Sequence, residues 1–351
     1  MIWFLQIILV RKQTFFKKYY SMKIISILII PLIIVLSCQH LIDKKNTTTE
    51  QPDKTKKVQV PEFNADSAYY FVDKQVSFGP RVSGMESHEE CANWIVNKLK
   101  IYSDTVIVQP FKARTYDNKT RNGKNIIASF NLDKEKRILL MSHWDSRPFA
   151  DYDEDPSNHR EPIDGANDGA SGVGVLLEAA RQFGLKSPEV GIDIVFFDLE
   201  DWGPPNDLDM YNEEYWGLGS QYWSKNPHIF GYQASYGILL DMVGAADPTF
   251  RKEYFSRQYA SFVLDKVWQR AYDLGYGNYF LDEDGPAIND DHVFVNKYAK
   301  IPSIDIIHLN PVNSNKSFFR HWHTLGDNME HIDRNSLGMV GKVVLDVIYH
   351  E

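Results

Sequence analysis

Acids and histidines recur at the ends of apolar, strand-like runs, and the chemistry of this chain begins there. The densest case is Ile192–Trp202, I-D-I-V-F-F-D-L-E-D-W. Its apolar and β-branched residues suffice for one buried strand, which then delivers Asp198, Glu200 and Asp201. Open α/β sheets bind ligands beyond the carboxyl ends of their strands. Acids buried there are costly unless a cation or a proton offsets the charge. The same punctuation recurs along the chain. Ser142-His143-Trp144-Asp145 follows the run 137–141, and Asp168 sits in Gly165-Ala166-Asn167-Asp168-Gly169-Ala170 ahead of a helical stretch. Asp241 ends the next run, and Asp290-Asp291-His292 follows a Gly/Pro/Asn loop. His308 ends the run 301–307, and Trp322-His323-Thr324 follows a loop of aromatics. Each fragment alone reads as a turn former, a solvated face or a satisfied histidine. Together they favour a zinc site of carboxylate and imidazole ligands. Two cysteines are too few for a thiolate site, and calcium or magnesium would use oxygen ligands without histidine.

The elements that must position these residues alternate. Helical spacing or start signals mark 66–75, with Asp66 or Ser67 as N-cap, then 88–99, 171–183, 258–274 and 335–349. Strand-like runs occupy 105–108, 124–130, 137–142, 192–197, 236–240 and 301–308. Residues 78–84, F-G-P-R-V-S-G, form a turn cluster. Strands alternating with helices predict one α/β domain, with a central, mostly parallel or mixed twisted sheet flanked by helices on both faces. No internal repeat and no Gly-rich phosphate loop is present.

The folded domain is expected over residues 61–351. Residues 1–38 read as an export signal: a basic stretch with no acids (Arg11, Lys12, Lys17, Lys18, Lys23), an apolar run over 24–35, and Leu36-Ser37-Cys38. The apolar run is short and interrupted by Pro31, which disfavours a spanning helix. Met22 is the more natural start than Met1. Residues 39–60 are polar and without periodicity, as in a flexible tether. Of the 351 residues, the first 60 hold ten Lys/Arg against three acids, and the remainder hold 28 against 44. So acidic a body argues against nucleic acid as a partner. Cys91 reads as a small buried hydrophobe.

These fragments resemble the zinc aminopeptidase superfamily and, within it, the glutaminyl-peptide cyclotransferases. The likeness runs from about Phe78 to the C-terminus. Its strongest pieces are H-W-D-S, G-A-N-D-G-A-S-G, F-F-D-L-E-D, the run 239–250, N-D-D-H and W-H-T-L-G-D-N-M-E. The resemblance implies a zinc-aminopeptidase-like fold in which Asp168, Asp201 and His323 bind one Zn²⁺ per chain. Glu200 is then the general acid/base, with Asp241 and Asp290 as supporting catalytic acids. His308, Trp322 and Trp202 line the substrate pocket. The substrates implied are peptides or proteins with N-terminal glutamine, which is closed to pyroglutamate with loss of ammonia. The animal enzymes carry Glu-Glu where this chain has Glu200-Asp201. The shorter aspartate requires its loop to approach the metal more closely. Leu36-Ser37-Cys38 resembles the lipobox of bacterial lipoproteins, which implies a lipidated Cys38 and a tether to the bacterial cell envelope, in the periplasm or at the outer membrane. Two rivals stand beside this reading. One is a two-zinc aminopeptidase using His143 and Asp241 for the second ion. The other is a binding domain without catalysis, which a chelator would leave with its ligand.

Overall fold

The structure, a computed structural model, describes residues 58–210, 212–313 and 318–351. The expected export segment, Cys38 and most of the expected tether lie outside the described residues. Among the described residues no helix is long and apolar enough to cross a membrane.

The strands that carry the chemistry-bearing ends lie side by side. They are β1 (Thr105–Arg114), β2 (Thr120–Phe130), β3 (Arg137–His143), β4 (Gly191–Phe197), β5 (Tyr236–Asp241) and β8 (Ser303–Ile307), in the spatial order β1-β2-β4-β3-β5-β8. β4, β3, β5 and β8 are mutually parallel, while β2 is antiparallel to both β1 and β4. The sheet is therefore mixed, as the alternation of elements predicts. The chain leaves central β3 for β4 on one side and then crosses to β5 on the other. That reversal opens a crevice at the carboxyl ends of these strands.

Side chains alternate across the sheet with the period of two that a strand imposes. Ile138, Leu140, Ile192, Ile194, Phe196, Ile238, Leu240, Ile304 and Ile306 pack on one face against helices α1 (Ala65–Val76), α2 (Glu86–Tyr102), α3 (Ala170–Leu185), α5 (Tyr254–Asp273) and α7 (Arg334–Tyr349). Leu139, Met141, Val195, Phe197 and Leu239 face the other way, onto Trp223 of α4 (Leu218–Lys225) and onto Val295 and Ile301. Truncating one such leucine to alanine costs about 2–5 kcal/mol. The one acid inside β4, Asp193, survives burial because Arg137, Ser129 and Tyr232 all donate to it.

Local differences from expectation have simple causes. α1 is capped by Asn64, whose side chain accepts the Ser67 N–H, two or three residues earlier than Asp66 or Ser67. β1 runs on to Arg114 through exposed polar positions because it pairs residue for residue with β2. Two short parallel strands, β6 (Phe250–Lys252) and β7 (Phe280–Asp284), and the four-residue helix α6 (Asp291–Phe294) are too short to leave a period in the sequence.

Candidate metal centre and its acid-lined cavity

The chain just beyond β4 and β5, and the loop that brings in His323, use backbone that few residues adopt. Leu199, Met242 and His323 all sit at positive φ (57°, 48° and 55°), a conformation that non-glycine residues hold only when their surroundings impose it. Leu199 is clamped by burial among Val82, Phe111, Trp202 and Leu218. The next two residues are then tied to β3: Asp145 accepts the N–H of Glu200 (3.1 Å) and of Asp201 (3.3 Å). Gly217 N–H donates to the Glu200 carbonyl. Asp168 arrives from the loop before α3, where Asp327 accepts the N–H of Asn167 and Asp168. Gly169 is required there, since a Cβ would lie 2.5 Å from His143 Nε2.

Asp168, Asp201 and His323 thereby offer ligand atoms all within 4.8 Å of one another, and all three side chains are buried. His323 Nε2 lies 3.1 Å from Asp201 Oδ1 and 3.7 Å from Asp168 Oδ2. Asp201 Oδ2 has no hydrogen-bond partner. Two buried carboxylates and an imidazole sharing a space, with an oxygen unpaired, fit the donor set of zinc. His323 Nδ1 lies 3.4 Å from Asp151 Oδ1, the arrangement that orients a metal-binding histidine from behind. Arg147 fixes Asp151 (2.7 Å) and donates to the carbonyls of Asp201, Gly203 and Pro204. That clamp ties the backbone of the Asp201 loop to Asp151. Burial opposes the Asp201 charge, but His323 and Arg147 outweigh it and hold the carboxyl below its ordinary range.

Asp168 is shared with a second group. His143 Nε2 lies 3.0 Å from Asp168 Oδ1 and 3.2 Å from Asp241 Oδ1, while His143 Nδ1 lies 3.5 Å from Asp145. The residues named for a second ion are thus together as well.

Glu200, Asp241 and Asp290 line the same cavity, of about 450 Å³. Burial first, and then Asp201 and Asp290, push the Glu200 carboxyl well above its ordinary range despite His143. Burial and Asp168 raise Asp241 to about 6 against the pull of His143; burial and Asp241 raise Asp290 likewise to about 6. Carboxyls whose proton affinity is raised by burial and by one another suit proton transfer.

The aromatic wall differs in part from expectation. Trp322 lines the cavity and stacks on the His323 ring, 3.7 Å between centroids. Trp202 does not line it: its indole is buried with Val82, Phe111 and Leu218, under the Arg121 guanidinium. Trp216 supplies that wall instead, lying parallel to His323 at 6.3 Å. Nothing periodic marks Trp216; its neighbour Gly217, which holds the Glu200 carbonyl, and the Arg147 guanidinium over its ring tie it to the site. His308 also stands back from the cavity, buried against Phe319, and burial lowers its pKa to about 4.

The description Peptidase family M28 matches residues 125–348. A Zn-dependent exopeptidase from Parabacteroides distasonis is 50% identical, with a TM-score of 0.82 over 84% of this chain and 100% of that one. A glutaminyl cyclase from Bacteroides thetaiotaomicron, solved with N-acetylhistamine, is 50% identical, with a TM-score of 0.81 over the same shares. A glutaminyl-peptide cyclotransferase from Gloydius blomhoffii is 26% identical over 286 residues, 72% of this chain and 69% of that protein.

Proposed function

The chain belongs to peptidase family M28, and from that premise we propose that it cyclises the N-terminal glutamine of peptides to pyroglutamate with release of ammonia. Asp168, Asp201 and His323 would hold one Zn²⁺. When bound, zinc supplies Lewis-acid polarisation of the glutamine γ-carbonyl oxygen. Everything else falls to the chain's own side chains. The substrate's α-amine is the nucleophile, so the site needs no activated serine, cysteine or water. Its nitrogen bonds to the side-chain carbonyl carbon, Cδ, as the bond from that carbon to the amide nitrogen breaks. Glu200 accepts the proton released by the amine and passes it to the departing nitrogen, which leaves as ammonia. Asp241 and Asp290 accept hydrogen bonds from the two nitrogens and hold them in line. Positioning of this kind is worth roughly 7–11 kcal/mol in favourable intramolecular reactions. Trp322 and Trp216 enclose the glutamine side chain and exclude water. In its overall form the reaction is an intramolecular aminoacyl transfer.

The observation that carries this reading is Glu200, its proton affinity raised by burial and by Asp201, beside the Asp168–Asp201–His323 group in one cavity walled by tryptophan. Incubation with a Gln-initiated peptide should release ammonia in step with the blocked peptide. Free amino acid appearing without ammonia would refute it. The His143–Asp168–Asp241 group supports a second reading, a two-zinc exopeptidase in which Glu200 serves a hydrolytic water; free amino acid is that reading's product.

The same proposal extends to location. Cys38 is lipidated and residues 39–60 tether the catalytic domain 61–351 to the bacterial envelope, exposed to extracytoplasmic peptides. Incorporation of a fatty-acid probe into the full-length chain, abolished by Cys38→Ala, is the expected result. Equal labelling of the variant would remove Cys38 from the account.

A further inference from the structure

Behind the cavity lies a second group of acids. Asp305 on β8, Asp290 at the start of α6 and His292 within it offer polar atoms within 4.8 Å of one another. Asp305 and His292 are fully buried and Asp290 is 5% exposed. Neither carboxyl oxygen of Asp305 has a hydrogen-bond partner; nor does Asp290 Oδ2 or His292 Nδ1. The far side of His292 is fixed, because Nε2 lies 3.1 Å from Glu253 Oε2. Glu253 in turn accepts from the N–H of Phe255, Ser256 and Ile288 and from the Ser256 hydroxyl. Burial opposes the Glu253 charge, but His292 first, and then the N–H groups of Ile288 and Ser256, outweigh it and bring the carboxyl down to about 2.

Asp305 and Asp290 thus meet in the interior with carboxyl oxygens left unpaired. Two carboxylates so placed cannot both ionise, and one proton converts their repulsion into a bond. Burial and the acids around it, Asp290, Asp241 and Glu253, all raise the proton affinity of Asp305. Asp290 reaches the cavity, whereas Asp305 does not line it.

We propose that Asp305 is a neutral carboxylic acid at pH 7 that donates a hydrogen bond to Asp290, locked by the His292–Glu253 pair, and so positions Asp290 as a charged acceptor in the cavity. Asp305 touches no substrate and acts through Asp290. The proposal rests on the reading that Asp290 serves the cyclisation.

The test uses the zinc-loaded enzyme and two variants. Asp305→Asn retains an N–H donor and should keep kcat within about threefold, whereas Asp305→Leu has none and should lose about tenfold in kcat with KM and zinc content unchanged. A wild-type rate in Asp305→Leu, or an Asn variant as slow as the Leu variant, would overturn the proposal. The infrared difference spectrum of wild type against Asp305→Asn at pH 7 should show the C=O stretch of a protonated carboxylic acid. Its absence would overturn the proposal even if Asp305→Leu fails to fold. So would loss of a metal ion in Asp305→Asn, which would mean that Asp290, His292 and Asp305 hold a cation instead. Wild-type enzyme that releases no ammonia would sink the cyclase reading alone, since the infrared band does not depend on turnover.

Discussion

Two groups of buried acids meet at the carboxyl edge of one sheet, and they are neutralised in opposite ways. Around Asp201 the partners are cationic or hydrogen-donating: His323 at 3.1 Å, and Arg147 binding both the Asp201 carbonyl and Asp151. Burial notwithstanding, His323 and Arg147 hold Asp151 well below the ordinary carboxylate range, as they do Asp201. Around Asp290 the neighbours are mainly other acids, Asp241 foremost, and the histidines that act on it, His292 and His143, do not outweigh them. Asp291 and Asp305 are pushed well above the ordinary range by burial and by Asp290. The same residue type in equally buried places therefore has its charge favoured on one side and its proton favoured on the other. What divides them is the supply of donors. Glu200 stands at the boundary, its backbone tied to the metal side through Asp145 and its proton affinity raised from both.

The contrast can be broken most severely on the metal side. His323→Ala should lose zinc and roughly 10⁴-fold in kcat/KM together; metal analysis with an ammonia-release assay checks both, and a variant keeping either would reassign the ligand. At the boundary, Glu200→Gln should lose about 10²–10³-fold in kcat with zinc still bound. Full activity there would take Glu200 out of the proton path. In the walls, Trp322→Ala should raise KM for Gln-peptides about tenfold, while Trp202→Phe, remote from the cavity, should leave KM within about twofold.

The smallest effect sharpens the acid side. Asp291 has its proton affinity raised in the folded state, so the stability it contributes is complete below the ordinary carboxylate pKa and is lost as pH rises toward the folded value. Asp291→Asn removes that loss, and the fall in Tm between pH 5 and 8 should shrink by on the order of 2–4 °C. An unchanged slope would mean that Asp291 is ionised in the fold.

Much of this arrangement is legible in sequence because strands end abruptly. Ile192–Phe197 followed by Asp198, Glu200 and Asp201 signals both the central strand and its cargo, and the fragments around Asp168 and His323 carry family spacing. The alternating face of β3, β4 and β5 follows from the same runs. What escapes is whatever long-range packing decides. Trp202 is one residue beyond Asp201, yet the positive-φ turn at Leu199 and the Arg121 stack carry its ring away, and Trp216 arrives from a loop 14 positions later. His308 ends its strand as expected, but its ring sits behind the wall with Phe319. Glu253 and Asp305 have no local mark at all: one reads as a helix cap and the other as a stray acid within an apolar run, and only the fold brings them to His292.

Counting metal ions in the purified protein addresses the division between the two acid groups most directly. One zinc per chain, lost from His323→Ala and retained in Asp241→Asn, is the result this account predicts. Two zincs per chain, with one lost from Asp241→Asn, would contradict it, because the acid side would then be neutralised by metal as well.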